Sequence, residues 1–259
     1  MFHAVIMGIV QGLTEFLPVS STAHLVMLPL LFQWDGRLLN SLSFDVALHA
    51  GTLMSVLVSF YPDLIAMVRD PKKRPMIKLL AVATVPAGLA GVALHDYISG
   101  ALRSPWVIVV SLVFFGLVMY AADRLGRRKR MLGSMRTGEA LWVGIAQAVA
   151  LVPGVSRSGI TISAALERGF NRREAARFSF LLSIPVIAGA ALLEAPKAFS
   201  VGLDAGGGAV VAGFLSAFAT GVIAIRFMLS FLEKRGLGVF VVYRFILAGL
   251  IGGWLWLAG

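Results

Sequence analysis

The chain has 259 residues, of which 58% are hydrophobic and only 14% are charged, and this balance excludes an ordinary soluble domain. A net charge of +10 would also suit a nucleic-acid partner, but the basic residues lie in loops between apolar runs, so we expect no nucleic-acid binding. The chain has no cysteine, which excludes disulfides, thiolate catalysis and cysteine-based metal sites. The composition predicts an all-α integral membrane protein.

Six transmembrane helices are predicted, because six apolar runs approach the roughly 20 residues that a crossing requires. These runs cover residues 44–61, 77–94, 105–122, 178–195, 209–227 and 239–258. The start of the chain, Met1-Phe2-His3, lacks the basic segment of a signal peptide, so we expect it to belong to the mature protein.

Two further apolar stretches, 2–33 and 139–167, are interrupted by Pro18 and by Pro153-Gly154. Each arm has about 12 to 15 residues, and a helix of that length is shorter than a hydrocarbon core of about 30 Å. Most of the 23 Lys and Arg residues lie in four segments: 69–78, 124–136, 168–177 and 226–235. Because basic segments stay cytoplasmic, the stretch 139–167 must enter and leave on one side. It is predicted to be a re-entrant helical hairpin.

An internal repeat relates the two interrupted stretches. At one constant offset the sequence repeats Gly8-Ile9 as Gly144-Ile145, Gln11 as Gln147, Val19-Ser20 as Val155-Ser156, and Ser43-Phe44 as Ser179-Phe180. Each half then contains one hairpin and three crossings, which inverts the second half relative to the first, as in many secondary transporters. We predict a single membrane domain over 1–259, with inverted repeats of approximately 1–125 and 137–259. Both termini should face outward, and the two hairpin tips should meet near the midplane.

Polar residues at the two interruptions are functional candidates, because an ionised side chain at membrane depth costs about 3 kcal/mol or more. The first interruption carries Gln11, Glu15, Ser20, Ser21, Thr22 and His24, and the second carries Gly154, Ser156, Arg157, Ser158 and Thr161. Helix starts favour anions, and a guanidinium fits two phosphate oxygens. The pattern predicts a phosphate-handling site split across two halves of the protein. A purely structural ion pair between Glu15 and Arg157 is the plainer alternative, although it would not need the flanking hydroxyls.

The two motifs resemble the signatures of the membrane-embedded undecaprenyl-pyrophosphate phosphatases of the bacitracin-resistance type. One is the Glu/Gln-x-x-x-Glu pattern from Gln11 to Glu15, which continues to His24, and the other is Pro-Gly-x-Ser-Arg-Ser-x-x-Thr from Pro153 to Thr161. The resemblance covers essentially the whole chain. It departs at Gln11, where many members have Glu, and at Ala23, where Gly is common.

This resemblance implies hydrolysis of undecaprenyl pyrophosphate with a divalent cation, which recycles the cell-wall lipid carrier in the bacterial cytoplasmic (inner) membrane. Glu15, with Gln11, would hold Mg²⁺ or Ca²⁺. Arg157 would bind the pyrophosphate, and the further substrate-binding candidates are Ser20, Gly154, Ser156, Ser158 and Thr161. The active site is expected to open toward the outer (periplasmic) face, where the carrier would present its pyrophosphate.

Ser21 is the preferred nucleophile, with His24 as base and then acid. Two alternatives stay open: a water activated by His24 or Glu15, and attack by His24 itself.

The alternative function is a secondary transporter or flippase for an anionic lipid or solute, because inverted hairpins suit a carrier equally well. Ser21 and His24 beside Glu15 favour the enzyme, since a carrier needs no nucleophile and base. The expected partners are the polyprenyl pyrophosphate and membrane lipids, and the sequence leaves open whether the chain forms a homodimer. Of the remaining arginines in the spans, Arg226 and Arg244 are expected to snorkel to the interface.

Overall fold

The computed structural model of the protein describes residues 1–34, 41–94, 104–200 and 207–258. Eleven α-helices account for most of these residues, with no β-strand among them. In chain order they are α1 Phe2–Phe16, α2 Ser21–Leu31, α3 Leu42–Ser59, α4 Tyr61–Arg69, α5 Pro75–Ala93, α6 Pro105–Leu125, α7 Thr137–Val149, α8 Arg157–Glu167, α9 Arg172–Ser200, α10 Gly207–Lys234 and α11 Gly238–Ala258.

Five of the helices in the described ranges are long and apolar enough to cross a membrane: α5, α6, α9, α10 and α11. Each coincides with one of the predicted runs, because an uninterrupted apolar segment of this length can satisfy its backbone in lipid only as a helix. The prediction of an all-α protein with several membrane spans is therefore confirmed.

The remaining predicted run, 44–61, is more complex than the sequence indicates. Helix α3 ends at Ser59, and the chain then bends by 63° into α4. Pro62 lies in the first turn of α4, where its missing N–H and its ring favour a helix start over a continuous helix. The pair α3–α4 forms at most one broken span, which would be the sixth.

Both interrupted stretches form two short helices with a break between them. Ser20 precedes α2 with φ 76°, and Ser156 precedes α8 with φ 73°. Each serine accepts a hydrogen bond from the backbone N–H three residues later, that of Ala23 or Gly159, and so caps its helix. The predicted breaks are confirmed, and the two share the same unusual local backbone.

Small residues allow the short helices α1 and α7 to pack closely against long ones. A Cβ atom added to Gly8 of α1 would lie 2.4 Å from the backbone oxygen of Gly213 in α10. One added to Gly144 of α7 would lie 2.4 Å from the backbone oxygen of Ala83 in α5. Close approach of small residues is a common way of packing helices in membranes.

Arginines of the basic segments form ion pairs with acidic side chains. Asp123 at the end of α6 accepts two hydrogen bonds from Arg172, at 2.5 and 3.1 Å, and a third from the backbone N–H of Leu237 at 3.0 Å. Three further pairs belong to this network: Arg130–Glu139, Arg173–Glu233 and Arg177–Asp63. The predicted cytoplasmic segments therefore meet at one end of the helix bundle.

We expect Gly144→Ala to destabilise the protein, because the added methyl group would overlap the backbone of Ala83. Overpacking of this kind costs about 1–3 kcal/mol. Gly138→Ala in the same helix is the matched control, since its added Cβ would meet no atom within 4 Å. Thermal unfolding in detergent should show a lower midpoint for Gly144→Ala alone, and equal midpoints would contradict the close packing of α5 and α7.

Candidate active site

Glu15 lies at the centre of a group of polar side chains drawn from both interruptions. Its side chain is only 7% exposed, in the last turn of α1. One carboxylate oxygen accepts a hydrogen bond from Arg157 Nη2 at 2.9 Å. The other accepts from Ser21 Oγ at 2.9 Å and from Gln11 Nε2 at 3.1 Å. Three of the predicted site residues therefore donate to the carboxylate of a fourth.

Arg157 begins α8 and makes the contact between the two halves of the chain. Besides Glu15, its guanidinium donates a hydrogen bond to the backbone oxygen of Ser179 in α9, at 3.0 Å. A buried charge pair is tolerated only when geometry and hydrogen bonds compensate the loss of water. Besides the ion pair, Glu15 accepts two hydrogen bonds and the Arg157 guanidinium donates one. The ion pair is consequently a well-defined structural element as well as a candidate for chemistry.

A hydrogen bond from a side chain to the backbone also joins the two breaks. Ser158 Oγ donates a hydrogen bond to the backbone oxygen of Leu17, at 3.3 Å. Close by, a Cβ added to Gly159 would lie 3.5 Å from Cβ of Pro18. Glu15 and Arg157 thus meet beside a hydrogen bond that joins the two interruptions directly.

The hydroxyls of the remaining predicted residues serve the local structure. Ser20 and Ser156 cap their helices, and Ser156 Oγ lies 3.2 Å from Ser158 Oγ. Thr161 is completely buried, and its hydroxyl contacts Ser179 Oγ at 2.7 Å and the backbone oxygen of Arg157 at 2.8 Å. These contacts position the helix starts, and direct binding of an anion by these hydroxyls stays a prediction.

Gly154 allows the second break to pack against α6. Its φ is +91°, and a Cβ there would lie 2.8 Å from the backbone oxygen of Ile108. A non-glycine residue would be strained by both the backbone conformation and the contact.

His24 does not pair with Ser21 as predicted. No hydrogen bond joins these two side chains in the part of the chain that the structure describes, because Ser21 at the start of α2 faces Glu15. The His24 ring instead turns back so that Nδ1 lies 2.7 Å from the backbone oxygen of Ser20. Its other nitrogen, Nε2, lies 2.7 Å from Tyr243 Oη on α11, a residue that the sequence analysis missed.

The prediction that Arg244 snorkels to the interface is wrong. Only 1% of its surface is exposed. It donates to the backbone oxygens of Gly154 and Val155 in the second break, and to those of Ser111 and Leu112 in α6. The position of an arginine inside an apolar span already indicated that its charge is buried against polar groups of the protein.

Gln11 and Glu15 fit a divalent cation. The side-chain oxygen of Gln11 is buried and has no hydrogen-bond partner among the described residues. The amide nitrogen of the same side chain donates to the Glu15 carboxylate. Amide and carboxylate oxygens are both ligands of Mg²⁺ and Ca²⁺. No group of three or more His, Asp or Glu side chains that could hold a metal occurs in the described ranges, so water and phosphate would complete the coordination.

Comparison with known proteins gives a match along nearly the whole chain. The family described as "Bacitracin resistance protein BacA" matches residues 4–250. A protein of Thermodesulfovibrio yellowstonii named undecaprenyl-diphosphatase is 49% identical over 97% of this chain and 96% of its own length. Proteins of the same name from Rubrobacter xylanophilus and Moorella thermoacetica are 45% and 42% identical, and each alignment covers 98% of both chains.

Proposed function

Because the chain belongs to the family of the bacitracin resistance protein BacA, we infer that it is an undecaprenyl-diphosphatase of the membrane. It hydrolyses undecaprenyl pyrophosphate to undecaprenyl phosphate and inorganic phosphate, and so returns the lipid carrier to cell-wall synthesis. The transport alternative is not favoured, since the relatives are named for hydrolysis. The observation that carries the proposal is the contact of Glu15 with Arg157, which joins both signature motifs in one buried site.

The pyrophosphate is proposed to bind between the starts of α2 and α8. Both helices begin at the site, and their first backbone N–H groups favour an anion. Arg157 supplies a planar pair of donors for phosphate oxygens. Because Arg157 is paired with Glu15 before substrate binds, the pyrophosphate would compete with this carboxylate for the guanidinium.

For the chemical step we favour Ser21 as the nucleophile. Its oxygen would attack the terminal phosphorus, and its proton would pass to Glu15, which already accepts a hydrogen bond from it. The bond from that phosphorus to the bridging oxygen would break, which releases undecaprenyl phosphate, and water would then hydrolyse the phosphoserine. The contact favours Glu15 over His24 as the base of the first step, and His24 would activate the water that hydrolyses the phosphoserine. Direct attack by water and attack by His24 are the rival routes.

A divalent cation, Mg²⁺ or Ca²⁺, is proposed to bind at Gln11 and Glu15. When bound it would neutralise charge on the phosphate oxygens. Two groups of the Gln11 side chain support this metal site. The amide N–H₂ donates to Glu15 and orients it, and the buried side-chain oxygen is left for a ligand.

We also propose that the two interrupted stretches are re-entrant hairpins related by an inverted repeat. Two observations support this. Ser20 and Ser156 occupy matching positions of the repeat, and have nearly the same φ and the same capping bond. Gly8 and Gly144 also match, and each allows a short helix to pack against a long helix of the opposite half.

The protein is proposed to lie in the bacterial cytoplasmic membrane with its active site open to the outer face. The meeting of the basic segments at one end of the bundle supports this orientation, because such segments stay cytoplasmic. A carrier whose pyrophosphate is presented at the outer leaflet would reach the breaks from the other end.

The proposed activity predicts that the purified protein releases phosphate from undecaprenyl pyrophosphate in detergent micelles when Mg²⁺ or Ca²⁺ is present. Arg157→Ala should reduce turnover about a hundredfold or more, because it removes the charge that binds the developing anion. Arg235→Ala, at an exposed position, is the control and should keep normal turnover. Uptake of the lipid without phosphate release would favour a carrier, and near-normal rates in Arg157→Ala would remove its proposed role.

If Ser21 is the nucleophile, Ser21→Ala should be inactive and should form no phosphoprotein with substrate labelled in its terminal phosphate. Thr22→Ala changes the adjacent, exposed hydroxyl and should retain activity. Substantial turnover in Ser21→Ala would instead assign the attack to water or to His24.

Gln11→Glu should bind the activating cation more tightly, because a second carboxylate replaces a neutral ligand. We expect the metal concentration for half-maximal phosphate release to fall on the order of tenfold. Glu15→Gln should bind the cation more weakly, which is measured by direct cation binding because this variant also lacks the proposed base. A Gln11→Glu variant with unchanged metal dependence would exclude this residue from the metal site.

A further inference from the structure

We propose that α11 positions both halves of the catalytic centre through two consecutive residues, Tyr243 and Arg244. Tyr243 would hold the imidazole of His24 after the first break, and Arg244 would hold the backbone of the second break. This inference depends on the proposed function for its kinetic consequences, whereas its structural consequences can be measured without substrate. Neither residue is placed against the reacting atoms, so both are positioning residues.

The backbone oxygen of Ser20 and the hydroxyl of Tyr243 hold the His24 ring from its two nitrogens. The backbone oxygen of Ser20 can only accept a hydrogen bond, so His24 Nδ1, 2.7 Å away, must carry a hydrogen. In the neutral ring Nε2 then has the free electron pair, and the Tyr243 hydroxyl donates to it at 2.7 Å. The two contacts fix both the tautomer and the direction of the ring.

The phenol ring of Tyr243 also stacks on the imidazole, with centroids 5.8 Å apart and planes 15° apart. Tyr243 is 43% exposed, so its hydroxyl can be removed without leaving a cavity in the core. Phenylalanine would keep the stacked ring and lose only the hydrogen bond. A Tyr243→Phe substitution therefore tests the hydrogen bond to His24 separately from the stacking of the two rings.

Arg244 satisfies backbone oxygens that would otherwise lack partners inside the membrane. Two of its acceptors, Gly154 and Val155, directly precede Ser156 and Arg157. An unsatisfied carbonyl in an apolar environment is costly, so a break of this kind needs such a donor. By holding these carbonyls, Arg244 sets the direction in which Arg157 leaves the break.

The two contacts are mechanically linked, because the residues are neighbours on one helix. Helix α11 packs along α6, and Arg244 joins the two through the backbone oxygens of Ser111 and Leu112. A displacement of α11 would therefore move His24 and the second break together. The pair α6–α11 forms the frame on which both breaks are aligned.

The first experiment is Tyr243→Phe, studied by ¹⁵N NMR of histidine-labelled protein in micelles. The chain has four histidines, and His24→Asn identifies the signal of His24. We expect hydrogen on Nδ1 in both proteins, because the Ser20 oxygen is unchanged, and a shifted Nε2 signal in Tyr243→Phe, because that nitrogen loses its hydrogen-bond donor. Turnover should fall about three- to tenfold with KM changed less than twofold, as expected for loss of one hydrogen bond to a positioned group.

Tyr120→Phe is the control, because Tyr120 is a similarly exposed tyrosine on α6. It should change neither the His24 signal nor turnover. An unchanged His24 signal in Tyr243→Phe would overturn the role of Tyr243. Absence of phosphate release from the wild type would instead reject the proposed function, and the NMR result would still test the tautomer.

The second experiment is Arg244→Lys, which keeps the charge but replaces three donor nitrogens by one. We expect turnover to fall at least about tenfold. Hydrogen exchange followed by mass spectrometry should show faster exchange in a peptide covering 153–159 and unchanged exchange in α9. Arg226→Lys on the exposed side of α10 should alter neither quantity. Normal turnover with unchanged exchange, or faster exchange throughout the chain, would overturn the role of Arg244.

Discussion

The ion pair of Glu15 and Arg157 is the interaction on which the rest of the site depends. Each charge would be costly alone at membrane depth, and each comes from a different half of the chain. Their contact is completed by Gln11 and Ser21 on the carboxylate and by a backbone oxygen on the guanidinium. The same groups that compensate the loss of water around the charges are those that a pyrophosphate and a cation would engage. Stability and chemistry therefore draw on one set of contacts.

A site built from broken helices must also satisfy the backbone that the breaks expose. The protein does so with residues of two kinds. Ser20 and Ser156 cap the helix that follows each break, whereas Arg244 reaches from a distant helix to the carbonyls of the second break. Many of the polar side chains near the site therefore form hydrogen bonds with the backbone. For this reason few of the flanking hydroxyls lack a contact with their own helix.

The sequence contained most of what defines the fold and part of what defines the site. Apolar length is sufficient to locate five of the crossing helices, and proline with glycine is sufficient to locate both breaks. The bend after Ser59 was not predicted, because hydropathy does not respond to a proline in the first turn of the next helix. The association of Glu15 with Arg157 could be expected from the repeat. The partners of His24 and Arg244 could not, because they depend on where α11 packs, and that position is outside the repeated motifs.

Helices α1 and α7 each pack against a long helix of the opposite half of the chain, and this has a consequence for the order of assembly. Helix α1 precedes α10 by nearly two hundred residues, yet the two helices pack together. Glu15 likewise waits for Arg157 before its charge is neutralised. Until then α1, with its 15 residues, is too short to cross a hydrocarbon core of about 30 Å as a helix. Helix α1 is therefore made well before the helix that holds it, and it can reach its final packing only after α10 and Arg157 have been synthesised.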